Sequence, residues 1–402
     1  MKVGRVLVRK YSSMLVLLIT VIVSLGLSGC FDATEVENLN VVAGIGVDLL
    51  ETNKVRVTLE VFRPIKSGQS STAETDKRQS FIVSSTGDTI EDALSVLTTR
   101  SPRRLYYPHN VLFIFGKSYA ENGLDRAFDY LERDRAYRRN SLLLIADNTA
   151  AEVLKARFLN PQVTSLGIRQ LLDMMNYVSE AYNTEQLTFL RQYLEPAHTS
   201  SACVLGLNAM RMPQVRGLGL VKKGKLVTVS KGAELKGLLW MLGETRQVPI
   251  TVSLKGGHAS HEKSTVRLLS TYRNIRWNTS SRLPSVDITV TGRAEVDHVG
   301  GCTTLTPTVM RMLETAVDDY MKRHMTVSMA AMQSEGIDGA QLATSLHRVK
   351  PRMWRRYAST WDTVYPAIPV TFHVHVSILK TGLAGRPPVG AYSTHGSLPP
   401  NK

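Results

Sequence analysis

Apolar positions fall into two periods along this 402-residue chain, and the switches between them lay out its elements. Val41-Val42-Ala43-Gly44-Ile45-Gly46-Val47-Asp48 and the alternating Val55-Arg56-Val57-Thr58-Leu59-Glu60-Val61-Phe62 have the two-residue repeat of strands, joined as a hairpin across Glu51 to Lys54. Residues 66–78 are rich in Ser, Thr and Gly, carry no apolar period and are expected to form an exposed loop. Thr89-Ile90-Glu91-Asp92 predicts a helix start, because the Thr89 hydroxyl can accept the N3 amide hydrogen while Asp92 suits the positive helix end; this helix should run to about Leu97. Val111 to Phe115 and Ser141 to Ala146 are short apolar runs that predict buried strands. Leu124 to Arg133 and Ala150 to Phe158 predict the helices between and after them, and strands alternating with helices indicate a mixed α/β domain. Helices over Ile168–Tyr177 and Glu185–Tyr193 end that region at Glu195-Pro196.

The pattern then changes. Ala202 to Leu207, Gly217 to Val221 and Leu226 to Val229 predict strands, the last two joined by a turn at Lys222-Lys223-Gly224-Lys225. A short helix is expected over Glu234–Leu242. Strands follow over Ile250–Leu254, Val266–Leu269 and Val286–Val299, alternating like an antiparallel sheet. The longest helical pattern starts at Pro307 and reaches about Met332, with Val309, Leu313, Val317, Met321 and Met325 on one face. Val370 to Val376 predicts a closing strand. The fold expected is therefore α+β, a mixed α/β multi-domain chain: an N-terminal domain over 30–198, a C-terminal α+β region over 202–384 that would make three structural domains if it divides in two, and a Gly-, Pro- and Ser-rich disordered tail over 385–402.

A different pattern opens the chain. Met14 to Leu27 is almost wholly apolar, follows Lys2, Arg5, Arg9 and Lys10, and runs into Leu27-Ser28-Gly29-Cys30. Cations hold an N-terminus in the cytoplasm, the apolar run enters the bilayer, and small Ser28 and Gly29 fit a peptidase beside a thiol to be acylated. The run is short against the roughly 20 residues of a stable span. Residues 1–29 are thus expected to be a lipoprotein signal peptide, with Cys30 the lipidated first residue of the mature chain. Two acyl chains, at about 0.8 kcal/mol per buried methylene, hold a protein on a membrane where one would release it.

Composition adds a partner class. The chain carries a formal charge of +15, of which +11 remains after the signal-region cations are removed, and 43% of its residues are hydrophobic, as in folded domains. For a tethered basic chain the nearest anion is the lipid surface; export argues against nucleic acid. Cys203 and Cys302 lie far apart in sequence and are expected to be unpaired, buried thiols.

Several groupings bear on chemistry. Gly219-Leu220-Val221-Lys222-Lys223-Gly224-Lys225 follows the phosphate-loop pattern up to its lysine, but Leu226 stands where a hydroxyl should meet magnesium and strands lie on both sides, so a turn is expected. His373 and His375 share one face of a strand, and His258 and His261 form a second pair; surface positions are the plainer reading than a metal site. Gly44-Ile45-Gly46 lacks the third glycine and the following helix of a dinucleotide fingerprint. Arg100, Arg103 and Arg104 beside Tyr106 and Tyr107 make a basic and aromatic cluster able to grip phosphate or stack on a flat ligand, with Tyr packing under a solvated turn as the simpler account. The chain has no G-x-S-x-G elbow, H-E-x-x-H helix or C-x-x-C pair, so an enzyme is not expected, nor a cofactor or a metal.

Four segments in order resemble the Ger(x)C family, the lipoprotein C subunit of spore nutrient-germinant receptors. They are Gly29-Cys30-Phe31-Asp32 with Glu35-Val36 before Gly44 to Asp48; Arg103-Arg104-Leu105-Tyr106-Tyr107-Pro108-His109-Asn110, leading to Gly116 and then Leu131-Glu132-Arg133-Asp134 with Arg138; Lys223 to Val227 with Glu234, Gly237, Leu238, Leu239 and Trp240; and a long helix followed by Trp354, Trp361, the terminal strand and Gly382. The chain departs from the family at Phe31, where Trp is usual, at Pro108, where Gly is common, and over 338–346, which lacks a Phe-Gly pair. The resemblance implies a non-enzymatic subunit on the outer face of the spore inner membrane, lipid-anchored through Cys30, acting with a polytopic A subunit and a transporter-like B subunit. The rival reading is a lipoprotein solute-binding module that hands a small ligand to a transporter, with Arg104 to Asn110 as the one candidate lining.

Overall fold

The computed structural model describes residues 15, 17, 19–20, 38–62, 79–158, 163–177, 181–243, 245–254, 263–279, 283–300 and 305–380. The expected signal peptide apart from those four positions, Cys30, the 66–78 loop and the 385–402 tail lie outside the described residues. Among the described residues no helix is long and apolar enough to cross a membrane.

The first sheet opens with β1 (Leu39–Leu49), β2 (Val55–Phe62) and β3 (Ser80–Gly87), then α1 (Ile90–Arg100). It continues through β4 (Arg104–Tyr106), β5 (Leu112–Phe115), α2 (Lys117–Asn122), α3 (Asp125–Arg133), β6 (Leu142–Ala146), α4 (Ala150–Lys155), α5 (Thr164–Tyr177) and α6 (Gln186–Leu194). Next come β7 (Thr199–Leu207), β8 (Pro213–Lys222) and β9 (Lys225–Ser230). The strands order as β3-β2-β1-β5-β6-β7-β8-β9, with β4 beside the start of β1; β1, β4, β5, β6 and β7 pair in parallel, and β2, β3, β8 and β9 are added through antiparallel pairings. The expected domain limit at 198 to 202 thus falls inside this sheet. β7 to β9 extend it because the apolar edge of β6 is completed by β7, not by a new sheet.

Both faces of the sheet are covered. Phe113 and Phe115 point into a core with α1, α2, α3 and α6, while Leu112 and Ile114 point into a second core with α4 and α5. Central parallel strands are continuously apolar for that reason. The Thr89 hydroxyl caps α1 by accepting from Asp92 N–H at 3.1 Å, as its sequence predicts.

The second sheet follows α7 (Gly232–Leu242). It contains β10 (Val248–Ser253), β11 (Lys263–Asn278) and β12 (Ser285–His298). After α8 (Pro307–Ser334), α9 (Leu342–Val349), α10 (Pro351–Tyr357) and α11 (Trp361–Val364), the chain ends its described part in β13 (Val370–Lys380). The order is β10-β11-β12-β13. β10, β11 and β12 pair antiparallel, as their alternation predicts, and β13 adds to β12 in parallel, so the sheet as a whole is mixed. A parallel neighbour needs a crossover of a dozen residues or more, and the α8 to α11 connection supplies it. The α8 face of Leu313, Val317, Met321 and Met325 is fully buried against this sheet and α7.

Candidate functional site

Three buried carboxylates close helix starts, two of them from strands. Asp48, at the end of β1, accepts from the N–H groups of Ala150 (2.7 Å) and Ala151 (3.0 Å) at the start of α4. Glu60 on β2 accepts from Thr164 N–H and Ser165 N–H, each at 2.7 Å, at the start of α5. Asp338 accepts from Leu342 N–H (2.8 Å) and Ala343 N–H (2.7 Å) and starts α9. Each satisfies amides that a helix end leaves orphaned, with charge of the sign the helix dipole favours. Burial nevertheless pushes the carboxyl of Asp338 up to about 6, against the lowering effect of those bonds and of the neighbouring Arg273; burial likewise raises Asp48. The Gly44-Ile45-Gly46-Val47-Asp48 motif is explained by the same packing. A Cβ at Gly44 would lie 2.0 Å from Ser165 Oγ, and one at Gly46 3.0 Å from Ala150 and Leu154 side-chain carbons, so the glycines admit α5 and α4. These groups serve the fold.

The Arg and Tyr cluster is assembled by β4. Leu39, Asn40 and Val41 of β1 pair with Arg104, Leu105 and Tyr106, and Asn40 Nδ2 donates to Ser101 Oγ at 2.9 Å. The chain then turns: Asn110 N–H donates to Tyr107 O (2.8 Å) across Pro108 and His109, after which Val111 N–H donates to Ala43 O (2.9 Å) and β5 rejoins β1. Beneath the turn Tyr107 packs on Tyr137, ring centroids 5.2 Å apart, and Tyr137 meets Phe113 at 5.4 Å. The Tyr130 and Tyr137 hydroxyls share a 2.9 Å hydrogen bond. Burial pushes the Tyr107 phenol up to about 12, the Asp134 charge adding to it, so it stays a neutral packing group. Arg100, Arg103, Arg104 and His109 project outward and are exposed. The cluster is thus a tyrosine-packed turn with a cationic rim, and Asn110, 4% exposed, keeps a side-chain amide without a partner among the described residues.

The other candidate positions separate. Lys222 to Lys225 is a tight hairpin turn with Lys223 at φ 48° and Gly224 at φ 80°, between β8 and β9, and not a strand-to-helix phosphate loop. His373 and His375 alternate with buried Phe372, Val374 and Val376 on β13 and are exposed; His373 Nε2 stands 3.7 Å from Asp287 Oδ1. His258 and His261 lie outside the described residues. No cluster of three metal-ligating side chains occurs among the described residues. Cys203 is a buried free thiol, pushed up to about 12 by burial, and Cys302 lies outside the described residues.

Two hollows are open to solvent. One of about 570 Å³ runs between Thr251 to Ser253 of β10 and the Arg311, Met312, Ala316, Tyr320 and Arg323 side of α8. The other, about 1050 Å³, sits at the β1–β2 turn against Asp88, Glu91, Asp125 and Asp129. Neither is lined by Arg104 to Asn110, the stretch expected to line a solute pocket. A second basic stretch, Arg348-Val349-Lys350-Pro351-Arg352-Met353-Trp354-Arg355-Arg356, covers α9 and α10; it puts five cations in nine residues and was readable as a charge run. α10 has no buried residue, and Trp354 packs edge-on to Trp361 at 5.3 Å.

Comparison with known proteins places most of the chain. Residues 32–206 match the family described as "Spore germination protein N-terminal domain", and residues 216–382 match "Spore germination B3/ GerAC like, C-terminal". Spore germination protein KC of Bacillus subtilis (strain 168) is 23% identical, over 95% of this chain and 98% of its own. Spore germination protein B3 of the same organism is 22% identical, over 90% and 96%. A crystal structure of the GerBC protein superposes with a TM-score of 0.53 at 17% identity, covering 84% of this chain and 97% of that one, which shows a shared fold.

Proposed function

Since the chain belongs to the GerAC-like family of spore germination proteins, we propose that it is the membrane-anchored, non-enzymatic C subunit of a nutrient germinant receptor, held by acylated Cys30 on the outer face of the spore inner membrane and acting with integral A and B subunits. One observation carries the reading: the first family match begins at Asp32, two residues after Cys30, so the matched germination region follows directly on the expected signal. Anchoring does mechanical work. A tether confines the two-sheet body to a layer next to the membrane partners and raises its effective concentration against them without any new contact. The buried carboxylate caps and the two-faced core give that body fixed surfaces to present.

The test is Cys30→Ala. The account expects the protein in the soluble fraction and loss of nutrient-triggered germination, with germination by a receptor-independent trigger retained. Normal nutrient germination from spores whose variant is entirely soluble contradicts the tethering role.

A further inference from the structure

We propose that the cationic rim formed by Arg100, Arg103, Arg104, Arg135 and Arg138 is a docking surface for anionic phospholipid headgroups, which sets how the body sits on its bilayer. The inference rests on the Cys30 anchor proposed above and adds an orientation to it.

Chain length and strand pairing fix the position. Leu39, the first residue of β1, is nine residues after Cys30. At about 3.3–3.6 Å per residue fully extended, an acylated Cys30 keeps Leu39 within about 30 Å of the headgroups. Arg104 is paired directly with Leu39, about 5 Å away across the ladder. Ser101, hydrogen bonded to Asn40, brings Arg100 and Arg103 to the same place. The loop into β6 flanks it: Tyr137 packs on Tyr107, and Ser141 Oγ donates to Asn110 O at 2.7 Å, which sets Arg135 and Arg138 beside the 107–110 turn.

Charge selects the occupant. All five side chains are exposed, and none forms an ion pair among the described residues. The carboxylates nearby are engaged elsewhere: Glu132 with Arg139 at 2.6 Å, and Asp134 with the Ala136 N–H at 2.9 Å. Guanidinium groups bind phosphate oxygens through paired donors, and Tyr106 and His109, with rings 5.7 Å apart, present the amphipathic edge suited to a membrane interface. Each Lys or Arg near an anionic leaflet favours association by about five-fold, within a Debye length of about 10 Å. A bilayer is the anionic surface that the tether itself keeps within about 30 Å, so that the rim samples contact with it repeatedly. The α9–α10 cations carry comparable charge without this placement, and they serve as the internal control.

The experiment uses the mature acylated chain reconstituted on phosphatidylcholine vesicles with or without phosphatidylglycerol. Hydroxyl-radical footprinting by mass spectrometry reads Tyr106 and His109 at the rim, and Met353 and Trp354 at the control stretch. The expected result is protection of Tyr106 and His109 only with phosphatidylglycerol, lost at high salt and in R103S/R104S, while Met353 and Trp354 oxidise equally on both vesicles. Equal oxidation of the rim on both lipids, or protection of the control stretch instead, overturns the inference. So does rim protection that arises only in native membranes containing partner subunits, which would assign the surface to an acidic protein. Failure of the chain to float with either vesicle is a failure of the anchor and is seen separately from any footprint.

Discussion

Glu60 is 1% exposed although it occupies a polar position in an alternating strand. Alternation assigns such a residue to a solvated face; here α5 covers that face, and the carboxylate is retained because it closes the amides of Thr164 and Ser165 and accepts from Ser80 Oγ at 2.7 Å. Nothing in the spacing of 55–62 announces this, since the helix amides that Glu60 closes lie more than a hundred residues on. Gly44 is the complementary case: its motif is visible in the sequence, and its reason is the 2.0 Å approach that a Cβ would make to Ser165 Oγ. Gly44→Ala should destabilise the chain by about 1–3 kcal/mol through overpacking, measured as a lower denaturant midpoint. Asp338 makes a pH prediction. Its folded value of about 6 lies above the ordinary 3.8, so between those values the unfolded chain has lost the proton while the folded one keeps it, and the stability this group contributes falls as pH rises from about 4 to about 6. Asp338→Asn should remove that slope. Thermal melts of both proteins from pH 4 to 7 should show the gap between them shifting towards the variant across this window; a constant gap would contradict the assignment.

At the scale of elements, the α7–α8 pair joins the two sheets. Gly237 sits where a Cβ would lie 2.2 Å from the His324 carbonyl oxygen, so the helices cross at backbone contact. Gly237→Ala should separate them and cost about 1–3 kcal/mol, read by chemical denaturation. α8 also covers the outer edge of β13: Glu314 Oε1 accepts from Ile378 N–H at 2.9 Å and Asp318 Oδ1 from Val376 N–H at 2.8 Å, amides that an edge strand would leave open. The long helix, the Thr89 cap, the β1–β2 hairpin and the Lys223-Gly224 turn were legible, because each writes a local signature. β3 was not: Ser80 to Gly87 is largely polar and becomes a strand by pairing with β2. The short helices over 342–364 were missed for a different reason: at 8, 7 and 4 residues each is too short to establish a period.

For the whole molecule, strand order was the part that sequence could not supply. β7 to β9 read as the start of a new region and instead complete the first sheet, since partner choice in a sheet is decided by edges far apart in the chain. The cationic cluster was visible residue by residue, but its position beside the entry of the chain depended on the β1–β4 pairing. The proposed account is a basic, two-sheet body of the germination family that a short tether from acylated Cys30 would carry, with its arginine rim at that end. The most direct measurement is intact mass spectrometry of the N-terminal peptide from purified spore membranes. The account predicts a chain beginning at Cys30 and carrying a diacylglyceryl thioether. A chain beginning at Met1 with a free Cys30 thiol, recovered from the soluble fraction, would contradict it.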